Sequence, residues 1–271
     1  MSDLMHGKRG LVMGVANDHS IAWGIARTLA ANGAKLAFTY QGESLGKRVK
    51  PLAASVAADL VMPCDVEDIA TVDAVFAEVA RTWGTLDFLV HAIAFSDRTQ
   101  LSGRYADVTR ENFLRTMLIS CFAFTEAAKR AAALMPNGGA MLTLTYNGGD
   151  RAMPNYTVMG PAKAALETSV RYLAVDFGRQ AIRVNAISSG PIRTLAGAGI
   201  GDARMMFAFQ QRHSPLHRGV TLDELGGAGL YLLSDLSTGV TGEIHFVDCG
   251  YNVIAMPHPD ALRADRERAE E

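Results

Sequence analysis

Short apolar runs alternate with longer amphipathic stretches along most of the chain, and this rhythm admits very few architectures. Residues 10–14, 34–40, 59–63, 86–92, 140–145, 183–187 and 244–247 read as strands. Between them, 21–32, 45–57, 69–83, 109–133, a stretch ending near 177, and 222–234 carry helical periodicity. Parallel strands need a long crossover, and a helix supplies one. Repeated units of this kind predict an α/β fold, a doubly wound parallel sheet with helices on both faces. Asn32-Gly33 and Asn137-Gly138-Gly139 are stop and turn signals where the periodicity changes, and they support these boundaries.

At 271 residues and 49% hydrophobic content the chain can bury one substantial core, so a single domain over 1–256 is expected. After residue 187 the pattern breaks into a glycine-rich stretch leading to 203–211, where Met205, Met206, Phe207 and Phe209 can cover an apolar ligand. Two readings of 192–212 stand side by side: a mobile substrate loop, or a loop and short helix packed permanently on the core. Residues 257–271 are charged and poor in large apolar side chains, which predicts an exposed, flexible tail.

A formal net charge of -2 and a pI near 6.4 give no footprint for nucleic acid or an anionic membrane. No run approaches the ~18 apolar residues of a membrane span, and the N-terminus has no apolar stretch after a basic start. Cys64, Cys121 and Cys249 lack paired spacing and fit reduced thiols. A cytoplasmic protein is expected. His213 and His217 stand four apart, but Pro215 lies between them and spoils a helical ligand pair, so no metal site is expected.

Tyr146, Tyr156 and Lys163 are the candidates for chemistry. Seven positions at about 100° each bring Tyr156 and Lys163 within roughly 20° on a helix, so a phenol and an ammonium share one face. An ammonium near a phenol, touching it or bridged by a cofactor hydroxyl, favours the phenolate and suits proton transfer. Such spacing also arises on ordinary surfaces, and the flanking sequence decides between the readings. Pro161 inside that helix predicts a late start or a kink.

The turn after the first strand, Gly14-Val-Ala-Asn-Asp-His-Ser20-Ile21-Ala-Trp-Gly24, opens a helix whose amides and dipole can hold a pyrophosphate. This is the position of the Rossmann fingerprint, with Gly14 for the tight turn, Gly24 for close packing and Ser20 where glycine is usual. The second strand ends at Thr39-Tyr40-Gln41 without the acidic residue that often grips a ribose diol, while Lys47 and Arg48 follow. Asp65, in Cys64-Asp65-Val66, suits either an adenine amino group or a helix cap.

Counting back from Lys163 puts Met159 where the short-chain dehydrogenase/reductase superfamily usually has its Tyr-x3-Lys tyrosine, and Tyr146 where it has its serine. Tyr156 instead makes Tyr-x6-Lys. With Ser20-Ile-Ala-Trp-Gly, Phe38-Thr-Tyr-Gln, Arg151-Ala-Met-Pro-Asn-Tyr and the run from Arg183 to Ala196, the chain resembles the bacterial NADH-dependent enoyl-[acyl-carrier-protein] reductases over nearly its full length. The resemblance implies a Rossmann-like fold, NADH as cofactor and a homotetramer. It implies reduction of a trans-2-enoyl thioester on acyl-carrier protein, the last reductive step of bacterial type II fatty-acid elongation. Cofactor contacts are then expected from Gly14, Ser20, Ile21, Gln41, Asp65, Val66, Ile93, Lys163, Ile192, Arg193, Thr194, Leu195 and Ala196. Substrate contacts are expected from Ser96, Tyr146, Tyr156, Met159, Ile200 and Met206.

Two departures stand out beside Pro161. His91-Ala-Ile-Ala94-Phe95 replaces a frequent His-Ser-Ile-Gly-Phe and adds a methyl beside the nicotinamide position, and Cys249 stands where glycine is frequent. Tyr156 is the expected donor to the thioester oxygen and Lys163 the expected holder of ribose hydroxyls. Tyr146 has two open roles, proton route or aromatic wall. The rival readings are a ketoacyl-type reductase and a catalytically silent NAD-binding regulator.

Overall fold

The computed structural model describes residues 3–192 and 203–270. Among these, seven strands form one parallel sheet: β1 (Arg9–Met13), β2 (Lys35–Tyr40), β3 (Leu60–Pro63), β4 (Phe88–His91), β5 (Gly139–Thr145), β6 (Ile182–Ser189) and β7 (Ile244–Val247). Their order is β3-β2-β1-β4-β5-β6-β7, every pairing parallel. The chain winds outward from β1 on one side and from β4 on the other. The β1/β4 boundary is therefore the switch point, outside whose carboxyl ends a doubly wound sheet forms its ligand crevice.

Side-chain alternation builds two cores. Leu11, Met13, Ala37, Leu89, Met141 and Val184 face α3 (Ile69–Trp83), α5 (Ala123–Ala133) and α6 (Met159–Gly178). The intervening Val12, Leu36, Phe38, Phe88, Val90 and Leu142 face α1 (Ile21–Ala31), α2 (Gly42–Ser55) and α8 (Leu222–Leu233). Because successive strand residues point to opposite faces, both must be apolar in a sheet covered on both sides. The strands accordingly read as continuous apolar runs.

The structure departs from the sequence reading in three places that matter. The 109–133 stretch is α4 (Arg110–Met117) joined to α5 through a π turn over Leu118–Phe122. That turn holds Ser120, whose hydroxyl accepts from Phe95 N at 2.9 Å and donates to Phe95 O at 3.0 Å, tying the helix to the loop after β4. Periodicity cannot show a one-residue widening of a helix set by a tertiary contact. Next, α6 begins only at Met159, which puts Pro161 in its first turn. Its missing N–H is one that no helix satisfies there, so the proline neither kinks the helix nor carries the interior penalty.

Finally, the charged segment expected as a flexible tail forms α9 (Pro259–Glu270). Proline at the first helical position presets the backbone, Asp260 complements the dipole, and Ala, Leu, Arg and Glu that follow are strong helix formers. The segment 203–211 belongs to α7 (Ala203–His213). Among the described residues no helix is long and apolar enough to cross a membrane.

Gly10 on β1 pairs in register with Phe88 on β4 at the switch point. A Cβ on Gly10 would lie 1.9 Å from the Phe88 ring, so the ring occupies the space a side chain would need. Gly10→Ala should therefore cost about 1–3 kcal/mol by overpacking. It should be read as a lower thermal-unfolding midpoint, and Phe88→Leu in the same chain should recover part of the loss.

Candidate active site

The carboxyl ends of β1, β2 and β3 form a cradle along one side of the crevice. β1 runs into Gly14 at φ 101°, and a Cβ there would meet Ala92 O at 2.3 Å, so only glycine lets this turn lie against the end of β4. Ser20 precedes α1, yet its hydroxyl does not cap the helix. It accepts from Ala16 N at 3.0 Å and Asn17 N at 3.1 Å instead, folding the turn on itself. The opening amides of α1, Ile21 first, are thereby left for an anion at the positive end of the helix dipole.

Past β2 and β3, Gln41 Nε2 donates to Asp65 Oδ2 at 3.0 Å. The cap of α3 is Asp68, which accepts from Ala70 N, so Asp65 is not the helix cap. Its Oδ1 accepts from Glu67 N at 3.0 Å, and Val66 packs into the core behind it. Ile93 and Ile192, expected from the sequence at the nicotinamide, are half-buried, each against a different core cluster. Ala94 is exposed. Arg193, Thr194, Leu195, Ala196 and Ile200 lie outside the described residues.

β5 and α6 bring the reactive side chains together. Lys163 is 6% exposed, and its Nζ donates to Leu144 O at 2.8 Å. Burial lowers its pKa to about 8, with Cys121 and Glu167 opposing that shift. An ammonium carries three donors, so two remain for hydroxyls of a bound sugar. One turn further along α6, Glu167 accepts from Thr145 Oγ1 at 2.7 Å. Burial holds this carboxyl above its usual range.

Tyr156 is not on the helix with Lys163. It precedes α6, between Asn155 at φ 55° and Thr157 at φ 32°. Thr157 is β-branched, so positive φ is strained there, and its hydroxyl anchors the bend by donating to Gln100 O at 2.8 Å. The shared helical face is thus replaced by a constrained loop. Burial raises the Tyr156 phenol well above its ordinary value, and Tyr146 and Glu167 push the same way, so the group is a neutral donor here.

The Tyr146 and Tyr156 rings meet edge to face with centroids 5.1 Å apart. They form an apolar cluster with Leu101, Met159 and the half-buried Met153. Ser96 is buried and accepts from Asn112 Nδ2 at 3.2 Å, which anchors the loop after β4. Met206 is half-buried on α7. His91, at the end of β4, is 1% exposed with neither ring nitrogen hydrogen-bonded. Burial and the Lys163 charge lower its pKa to about 3, so it is a neutral ring, 5.5 Å from Phe124 between centroids.

Gln210, Glu167 and Asn112 carry contacts that sequence spacing did not expose. Gln210 on α7 donates from Nε2 to Tyr146 Oη at 2.7 Å. Glu167 stood four residues from Lys163, one helical turn, and that spacing was the available signal for it. Nothing local marked the other two.

A phenol pair and a buried ammonium, at the mouth of a doubly wound sheet with a glycine turn on its first β-α connection, define a nicotinamide-dependent reductase of the short-chain class. A family model described as Enoyl-(Acyl carrier protein) reductase matches residues 14–252. Enoyl-[acyl-carrier-protein] reductase [NADH] 2 of Rhizobium meliloti (strain 1021) is 69% identical, over 97% of this chain and 98% of that protein. The crystal structure of FabI from Candidatus Liberibacter asiaticus superposes with a TM-score of 0.93 at 59% identity, covering 95% of this chain and 100% of that one. The enoyl-(acyl-carrier-protein) reductase from Anaplasma phagocytophilum, solved in complex with NAD, gives 0.92 at 55% identity, with 95% and 98% covered. The chain belongs to the enoyl-[acyl-carrier-protein] reductase family, within the short-chain dehydrogenase/reductase superfamily.

A depressed amine pKa means that the folded state resists protonating Lys163. The penalty is complete below about pH 8 and fades as pH rises toward the ordinary value of 10.5. It amounts to roughly 3 kcal/mol, less about 1 kcal/mol for the Leu144 carbonyl that loses its donor on substitution. Lys163→Met should therefore unfold a few degrees higher than the parent at pH 7 in thermal scans. The gap should close by pH 10, and NADH-dependent turnover should collapse.

Proposed function

We infer that the chain reduces the carbon-carbon double bond of a trans-2-enoyl-[acyl-carrier-protein] with NADH, giving the saturated acyl thioester. The observation that carries this reading is the paired phenols, Tyr146 edge-on to Tyr156 at 5.1 Å, beside the buried Lys163. The cradle has the features a dinucleotide needs. A glycine turn backs against Ala92, the helix start is left open by Ser20, and a buried ammonium retains two donors.

In this reading Gly14, Ser20 and Ile21 surround the pyrophosphate, Gln41 lies by the adenosine ribose, and Asp65 and Val66 flank adenine. Ile93, Lys163 and Ile192 frame the nicotinamide ribose and ring. NADH bound there supplies a hydride to the β-carbon of the enoyl thioester.

Charge then develops on the thioester oxygen, and Tyr156 stabilises it by donating a hydrogen bond. A phenol held neutral by burial is suited to donation at this point. The α-carbon takes a proton, and Tyr146, whose ring meets Tyr156 edge to face, is the group assigned to that route. Lys163 orients the sugar through its two remaining donors and keeps positive charge near the developing oxyanion. Ser96, Met159 and Met206 border the acyl chain, with α7 beside them limiting water.

Purified protein should oxidise NADH with crotonyl or longer enoyl thioesters and not with a ketoacyl thioester. Tyr156→Phe should lower kcat by about 10²–10³-fold, the range for loss of one oxyanion donor, with NADH affinity nearly unchanged. Equal loss of both would remove Tyr156 from the chemistry.

The assembly in this reading is a homotetramer in the cytoplasm. Large apolar side chains stand exposed on α4, the π turn and α6: Leu114, Phe122, Tyr172 and Val175, the last 80% exposed. Such a patch suits burial against a second copy. Tyr172→Glu with Val175→Glu should shift the light-scattering mass from four chains to fewer, and an unchanged mass would place the interface elsewhere.

A further inference from the structure

Tyr146 leaves β5 with its phenol oxygen held by a side chain from a distant part of the sequence. Gln210 Nε2 donates to Tyr146 Oη at 2.7 Å across 64 residues of chain. Gln210 is 4% exposed, so its amide is aimed into the protein from α7. The contact ties the helix that borders the acyl cleft to the phenol that packs on Tyr156.

The direction of this bond has a chemical consequence. An amide nitrogen is only a donor, whereas a phenol both donates and accepts. While Gln210 fills a lone pair of Tyr146, the phenol proton must point elsewhere. An oxygen that accepts one hydrogen bond also becomes a better donor in the next, because the bonds polarise one another. Among the described residues, the titratable groups that act on Tyr146 are the carboxyl of Asp248 and the neutral phenol of Tyr251. On α7 itself, the His213 ring lies against Phe209, centroids 4.1 Å apart and planes tilted by 56°.

We propose that Gln210 is a positioning residue for the reaction: seated on Tyr146 by α7, its amide turns the Tyr146 hydroxyl proton toward the acyl substrate. α7 in place gives a directed donor, and α7 displaced gives a freely rotating phenol. The inference rests on the reading above, in which Tyr146 faces the enoyl thioester.

Two substitutions separate direction from packing. Gln210→Leu removes the donor. Gln210→Glu at high pH replaces the donor by a carboxylate that accepts, drawing the Tyr146 proton away from the substrate. When protonated, the new carboxyl donates as the amide did, and burial moves its pKa upward into an accessible range. Steady-state kcat and KM with a crotonyl thioester should be measured from pH 5.5 to 8.5, with NADH affinity by fluorescence, in parent and Tyr146→Phe backgrounds.

Loss of one hydrogen bond predicts a fall in kcat of about five- to tenfold for Gln210→Leu at every pH, with NADH affinity within about twofold. Gln210→Glu should lose at least as much at pH 8.5 and recover toward the parent as pH falls. Neither substitution should change kcat further once Tyr146 is phenylalanine. Wild-type kcat in both variants overturns the inference, as does a pH-independent loss in Gln210→Glu or an equal loss in the Tyr146→Phe background. Loss of NADH binding with kcat makes Gln210 a structural residue of α7 and also overturns it. Wild-type turnover by Tyr146→Phe alone strikes instead at the role given to Tyr146 under the proposed function, which keeps the two failures distinct.

Discussion

Lys163 enters the interior as a charge, and the architecture around it follows from keeping that charge there. An ammonium that is 6% exposed has lost most of its water, which lowers its pKa to about 8. The Leu144 carbonyl returns one hydrogen bond from the end of β5, one residue beyond the last pairing with β4. Thr145, the next residue, binds Glu167 one turn along the same helix. Two consecutive strand residues thus grip two ionisable side chains on α6, which sets the depth of the helix against the sheet. The placement of Lys163 and the packing of α6 here share one set of contacts.

That anchoring leaves the phenols to be held by other means. Tyr156 sits in a bend between two positive-φ residues and is fixed through Thr157 to Gln100. Tyr146 is fixed at the other end of the site by Gln210. The two rings then support each other edge to face, a geometry worth about 0.5–1.5 kcal/mol beyond burial. Ser120 on its π turn and Asn112 on α4 hold the neighbouring loop after β4 by backbone and side-chain hydrogen bonds. Strain, a widened helix turn and a buried unpartnered His91 all gather within this region, as happens where surrounding structure maintains a functional geometry.

Much of this was legible without coordinates. The bounds of α3 and β7 were readable from their periodic and bounded apolar runs, although the cap of α3 is Asp68 and not the Asp65 that the sequence offered. Tyr146, Tyr156 and Lys163 stood out as candidates because they lie within a short span whose spacing departs from the usual serine and Tyr-x3-Lys pattern. Their geometry was read less well. A helical face was drawn through Tyr156 although Pro161 bars nothing only if it lies in the first turn, and that condition puts Tyr156 outside the helix. The tail misled in the same way: charge suggested a flexible end where Pro259 starts a helix.

Local chemistry therefore determined which residues alternate, turn and react, since periodicity, proline and glycine act on their immediate neighbours. That the sheet is parallel followed from the β-α rhythm, and the resemblance to the enoyl reductases was carried by the displaced tyrosine together with the motifs around it. Tertiary structure alone decided that Lys163 meets Leu144 O, that Asp65 meets Gln41, and that Gln210 reaches Tyr146 from 64 positions away. Each of these is one hydrogen bond between segments distant in the chain. A single amide on an otherwise amphipathic helix carries no periodic signal, and its partner is chosen only when the helix is laid across the mouth of the sheet.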